Sequence, residues 1–71
     1  MEKRIEVSKN LREARLRKKI HQKRLGEMLG YSGMVAQRMI HAFEYAERPI
    51  PLRKIRQLAE ILDIPIDKLV P

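Results

Sequence analysis

The sequence predicts an all-α fold: a compact bundle of five short helices forming a single domain over residues 1–71. Three observations predict it. Apolar residues recur at spacings of three and four in successive segments, the period of one face of a helix. Short breaks containing glycine or proline, at residues 30–33, 48–51 and 64–65, separate those segments. Finally, 71 residues leave room for four or five short helices over a thin core, since a domain of this size buries only about 60% of its unfolded surface.

The first helix is expected over about residues 6–18, with Val7, Leu11 and Ala14 on one face and Lys18 at its end. Ser8 is a candidate N-terminal cap, with an earlier start left open. The other faces are crowded with Lys9, Arg12, Arg15, Arg17, Lys18 and Lys19. The second helix spans about residues 22–29, with Leu25, Met28 and Leu29 as its apolar stripe. Gly30 follows, where a helix stop needs left-handed backbone. Tyr31-Ser32-Gly33 is a tight connection, and Ser32 is a candidate cap for the third helix, residues 33–45. Ala36, Ile40 and Phe43 mark the buried side of that helix. Two prolines in Glu47-Arg48-Pro49-Ile50-Pro51 remove backbone donors and fix φ, which ends it. Pro51 suits the first position of a fourth helix, on which Leu52, Ile55, Leu58, Ala59 and Leu62 form the stripe. A fifth, short helix is expected over residues 66–70. The apolar end of the chain, residues 64–71, either closes the core or forms a contact between two copies.

Charge is uneven. Residues 1–24 hold ten Lys and Arg against three Glu, whereas residues 25–71 hold six basic and six acidic residues, so one end carries the whole formal excess of +7. That distribution suits a polyanionic partner; the plainer alternative is a lysine-rich solvated helix. There is no cysteine, which excludes disulfides and thiolate metal sites. The longest apolar run is far short of the roughly 20 residues of a membrane span. The first residues, MEKRIEVSK, lack the apolar segment of a signal peptide. A soluble, cytoplasmic protein is therefore expected, with no membrane partner. No Ser/His/Asp set, no paired carboxylates and no phosphate loop are present, so no enzymatic activity and no small-molecule substrate are expected. His21 and His41 are the only histidines and have no carboxylate cluster beside them, so no metal and no cofactor are expected.

Two short helices joined by a glycine-containing turn form a unit whose second helix can enter the major groove of DNA. Here that unit is residues 22–29, a turn at residues 30–33, and the helix beginning at Gly33. Opposite the apolar side of this helix, Met34, Gln37, Arg38, His41 and Tyr45 form a continuous stripe of hydrogen-bonding and flat side chains. A merely solvated face more often carries Glu and Lys. Arg38 has the planar fork that matches the two acceptors of guanine. Gln37 can read adenine or brace Gln22. His41 can touch a phosphate or a base, or be simply solvated, and Tyr45 can reach a phosphate or pack at the core's edge. Met34 reads better as a partly exposed packing residue than as a contact to a thymine methyl group. Lys18, Lys19, Lys23 and Arg24 form a cluster suited to neutralising phosphate.

The chain resembles the Cro and lambda-repressor type of helix-turn-helix regulators, the xenobiotic-response-element family, over roughly residues 10–69. The resemblance is carried by Leu11-Arg12-Glu13-Ala14-Arg15, by the run from Ile20 through Gln22-Lys23-Arg24-Leu25-Gly26 to Gly30, by Phe43-Glu44, and by the run from Leu58 to Leu69. It implies a five-helix fold with a central helix-turn-helix. It also implies an ion pair between Arg15 and Glu44, a phosphate-touching and bracing role for Gln22, base reading by Gln37 and Arg38, and secondary reading by His41 and Ala42. Three departures stand out. His21 occupies the place of the usual Ser or Thr cap. Ala46 stands where glycine commonly follows the glutamate, which allows the third helix to run on past Tyr45. The stretch from Gly30 to Glu44 is about one helical turn longer than the family norm, which either lengthens the third helix at its start or enlarges the turn.

The leading expectation is a transcriptional regulator, specifically a repressor, bound as a homodimer to a pseudo-palindromic double-stranded DNA operator with reading helices about 34 Å apart. The alternative is a protein-interaction or antitoxin-type module on the same fold, with DNA binding secondary.

Overall fold

The computed structural model describes the backbone of residues 2–71 and the side chains from Arg4 onward. It contains α1 (Glu2–Arg17), α2 (Gln22–Met28), α3 (Gly33–Glu44), α4 (Leu52–Ile61) and one 3-10 turn (Ile66–Lys68). Among the described residues there is no strand. The expected fifth helix is thus a single turn. Only Val70 N–H reaches four residues back, to the Ile66 carbonyl, while Lys68 and Leu69 bond three residues back. The chain must swing Leu69 into the core immediately after Pro65, which leaves no length for an α-helix. Leu69 is fully buried, and its carbonyl accepts a hydrogen bond from Asn10 Nδ2 at 3.1 Å. The apolar end of the chain therefore closes the core onto α1.

The core is built from Leu11, Ala14, Leu25, Leu29, Ile40, Phe43, Ile55, Leu58, Ala59, Leu62 and Leu69. Most of it follows the helical periodicity, and the exceptions are informative. The helix α1 starts at Glu2, because residues 2–7 are mostly good helix formers with no break. Ser8 is therefore no cap; it is buried inside the helix on the face shared with Leu11 and Arg15. Lys18 lies beyond α1 and is exposed. On α2 the buried residues are Leu25 and Gly26, followed by Leu29 just past its end, and Met28 is exposed. The rotation follows from the closeness of α2 to α3: a Cβ on Gly26 would lie 2.2 Å from the Ala36 carbonyl oxygen. Only a residue without a side chain permits that approach. On α4 the stripe begins at Ile55, and Leu52 is exposed; Pro51 stands just before the helix and its carbonyl accepts from Ile55 N–H at 3.0 Å. Ser32 occupies the position before α3 but makes no side-chain capping bond, and neither does His21 before α2.

All four helices stop in the same way. Lys19, Gly30, Ala46 and Asp63 have φ of 60°, 106°, 57° and 55°. In each case the following residue's N–H bonds back to a carbonyl five residues earlier: Ile20 to Arg15 (3.2 Å), Tyr31 to Gly26 (3.0 Å), Glu47 to Ala42 (2.9 Å) and Ile64 to Ala59 (3.0 Å). This pairing is the Schellman motif, which satisfies carbonyls otherwise orphaned at a helix end. Three of those following residues, Ile20, Tyr31 and Ile64, pack against the core. The third helix accordingly does not run on past Tyr45. Ala46 adopts the left-handed conformation that glycine would take, and Glu47 N–H closes the turn on the Ala42 carbonyl.

Only one of those four positions holds glycine, and left-handed backbone costs an L-residue about 1–2 kcal/mol, partly offset by the greater unfolded-state entropy of glycine. Ala46→Gly should therefore stabilise the domain by about 0.5–1 kcal/mol and raise Tm by several degrees, roughly 4–8 °C per kcal/mol at this size. A thermal melt checks it; an unchanged or lowered Tm would show that Ala46 is not strained.

Candidate nucleic-acid interface

The centre of the site is a buried polar network. Arg15 on α1 and Glu44 at the end of α3 form a two-pronged ion pair: Arg15 Nε donates to Glu44 Oε2, and Nη2 donates to Oε1 at 3.1 Å. Arg15 Nη1 donates to the Ile20 carbonyl at 2.8 Å, and Gln22 Nε2 donates to Glu44 Oε1 at 3.1 Å. One carboxylate thus collects donors from α1 and α2, while the guanidinium also holds the turn between them. Both charged residues are buried, and no buried side-chain nitrogen or oxygen among the described residues lacks a partner. A buried pair is tolerable only when its hydrogen-bonding capacity is filled in this way.

A second tie fixes the other end of α2. Lys54 on α4 donates to the Leu29 carbonyl at 3.0 Å and lies 4.9 Å from the centre of the Tyr31 ring. The turn between α2 and α3 is therefore held from below by a cation that local sequence pattern does not flag, because its partners lie more than twenty residues away. That turn comprises only residues 29–32, and α3 begins directly after it and runs twelve residues to Glu44. Gly33 enters α3 at φ 61°.

With α2 and α3 fixed, the outward face of α3 carries Met34, Gln37, Arg38, His41 and Tyr45, all exposed. Among the described residues, Gln37 and Arg38 engage in no ion pair or side-chain hydrogen bond. His41 and Tyr45 stack, with ring centres 4.4 Å apart and planes 26° from parallel. Tyr45 is thus not an edge of the core. Ala42 is buried and offers little to a ligand. Met34 is 72% exposed and is not among the side chains packed against the core, so it is more exposed than its expected packing role implied. A shallow groove of about 680 Å³ runs beside this face, lined by Met34, Gln37, Arg38, Met39, Glu47 and Arg48 among others. Arg48, which the sequence reading passed over, reaches Met39 Sδ at 3.7 Å from the exposed side of that groove.

Lys18, Lys19 and Lys23 are exposed and, among the described residues, pair with no carboxylate. They sit on the α1–α2 turn and the first turn of α2, the segment that Arg15 and Gln22 tie to the end of α3. Arg24 is partly offset by Glu27 at 4.0 Å. The basic end of the sequence and the exposed face of α3 are therefore neighbours in the fold.

A helix-turn-helix family model matches residues 11–69. The chain belongs to this helix-turn-helix family, of the xenobiotic-response-element type that includes Cro and lambda repressor. No curated protein and no solved structure matches it significantly. Membership indicates a double-stranded-DNA-binding domain of the transcription-regulator class, a family generally without enzymatic activity. Among the described residues, no helix is long and apolar enough to cross a membrane, and no group of three or more His, Cys, Asp and Glu could hold a metal ion.

Removing Glu44 leaves the buried Arg15 charge uncompensated, so Glu44→Ala should destabilise the domain by about 3–5 kcal/mol. The Arg15→Met/Glu44→Ala double variant should recover part of that loss. Denaturant melts of the cycle check the coupling; simple additivity of the two single losses would mean that the pair contributes nothing as a pair.

Proposed function

We propose that the chain is a sequence-specific DNA-binding repressor whose helix α3 reads base edges in the major groove. Two copies bind a pseudo-palindromic operator as a homodimer. The observation that carries this reading is the exposed face of α3, where Gln37 and Arg38 present hydrogen-bonding groups that no other described residue uses. The Arg38 guanidinium presents a planar fork to guanine, and Gln37 offers a donor and an acceptor to adenine. His41 and the Tyr45 ring stacked on it extend the contact toward the phosphates. Lys18, Lys19 and Lys23 supply the sequence-independent part of the affinity by displacing counterions from phosphate. Gln22 keeps a second amide N–H beyond the one given to Glu44 and can place it on a phosphate, fixing the register of α3.

Arg38→Ala should cost about 1–3 kcal/mol on the preferred site and relax preference at one base pair per half-site, with little change in non-specific binding. Selection from a random duplex pool, followed by titration of the winner, measures both effects. Equal weakening on all sequences would make Arg38 a backbone contact.

Lys23→Ala should weaken binding to every sequence alike and reduce the log–log salt slope by about one unit. Mobility-shift titrations at two or more salt concentrations give that slope. An unchanged slope removes Lys23 from the phosphate contacts, and absence of duplex binding by the unaltered chain favours the protein-interaction module instead.

A further inference from the structure

We infer that the first turn of α3 reads the C5-methyl groups of thymine, with Met34 as the reading side chain and Val35 beside it. The inference rests on the DNA-reading role proposed above and extends it by one helical turn. Met34 is 72% and Val35 52% exposed, and Met34 is the most exposed large apolar side chain described. Single exposed apolar residues are ordinary. This one lies within about 40° of Arg38 and Tyr45 around the helix, so it continues the same face. It also helps line the groove beside Arg38 and Gln37.

The chemistry of the turn narrows its target. The sequence Gly33-Met34-Val35-Ala36 contains no charged or hydrogen-bonding side chain, and the turn holds no acidic residue. The side chains of such a turn can discriminate base pairs only by their apolar groups. In the major groove the C5-methyl of thymine is the apolar group that distinguishes one base pair from another. A flexible, polarisable methionine can settle against it without the fixed geometry that hydrogen bonds demand. The position of this turn lets it act: residues 33–36 lie in the helix and not in the loop, on the same axis as Gln37 and Arg38. Gly33, at φ 61° with nothing within 4 Å of a notional Cβ, begins the helix without a side chain in front of Met34.

The test uses the full chain and the duplex selected by it from a random pool. Each thymine of that duplex is replaced in turn by deoxyuridine, which removes the methyl and keeps every hydrogen-bonding group. The expected result is a loss of about fourfold in affinity per methyl at one or two positions beyond the base pair read by Arg38, the value of one buried methyl. Met34→Ala should lose that discrimination, binding the thymine and deoxyuridine duplexes alike, while Arg38-dependent preference and Tm stay unchanged. Replacement of cytosine by 5-methylcytosine at a position where cytosine is tolerated should restore binding in the unaltered chain and not in Met34→Ala. Deoxyuridine tolerated at every position, or thymine discrimination surviving in Met34→Ala, overturns the inference and leaves the DNA-reading role standing. A chain that selects no sequence overturns both.

Discussion

Everything in this domain hangs on the pairing of Arg15 with Glu44. A molecule with so thin a core cannot position two short helices by apolar contact alone, because a seven-residue helix such as α2 has almost no independent stability. The ion pair supplies a directional constraint where burial supplies only a non-directional one. Glu44 receives the guanidinium from α1 and an amide from α2 while itself terminating α3. Arg15 also holds the carbonyl of Ile20, the residue that brings the chain back to the core after α1. Moving any one of the three helices breaks a bond whose partner is buried and has no water to turn to, which is the costly side of hydrogen bonding in proteins. The orientation of α3 relative to α2 is thereby fixed by chemistry and not only by shape.

The helix stops do the complementary work. Each ends in a left-handed residue followed by a residue bonded back across the turn, and three of those residues plug into the core. The connections are therefore parts of the packing, and the loops are short because each is closed from both sides. Three of the four stops use a side-chain-bearing residue where glycine would be easier. Fold and stop agree so strongly elsewhere that the local preference is overridden.

Much of this was legible in the sequence, and the reason is the range over which each interaction acts. Ala36, Ile40 and Phe43 face inward as their spacing predicts, because helical periodicity is a local property. Gly30 announces its stop because the residue itself is the signal. Arg15 and Glu44 are 29 residues apart, and no periodicity connects them; only the family resemblance pointed to the pair. Lys54 had no such pointer and was missed. Met28 falls on the expected stripe yet is exposed and Gly26 is buried, because hydropathy ranks methionine above glycine, whereas the packing distance between α2 and α3 admits only glycine at residue 26. The stop at Ala46 was not legible because the preference against left-handed alanine is only about 1–2 kcal/mol, and the turn is closed by the backbone bond from Glu47 N–H to the Ala42 carbonyl, which side-chain pattern does not announce.

The same division of labour explains why the site is as exposed as it is. Side chains that hold the frame are satisfied inside it, and those on the outward face of α3 are satisfied by water. Replacing that water with base edges changes partners without disturbing the frame, so the binding surface can vary while the fold stays fixed. The face is limited by its length. Twelve residues rise about 18 Å, roughly the span of five base pairs at about 3.4 Å each, and so short a site recurs too often to be unique. The phosphate contacts proposed for Lys18, Lys19 and Lys23 would not mend this, because such contacts are blind to sequence. Longer recognition requires either more reading surface on one copy or a second copy. On the proposed reading, the first turn of α3 meets this need by a single step, and a second copy on a two-fold site supplies the rest.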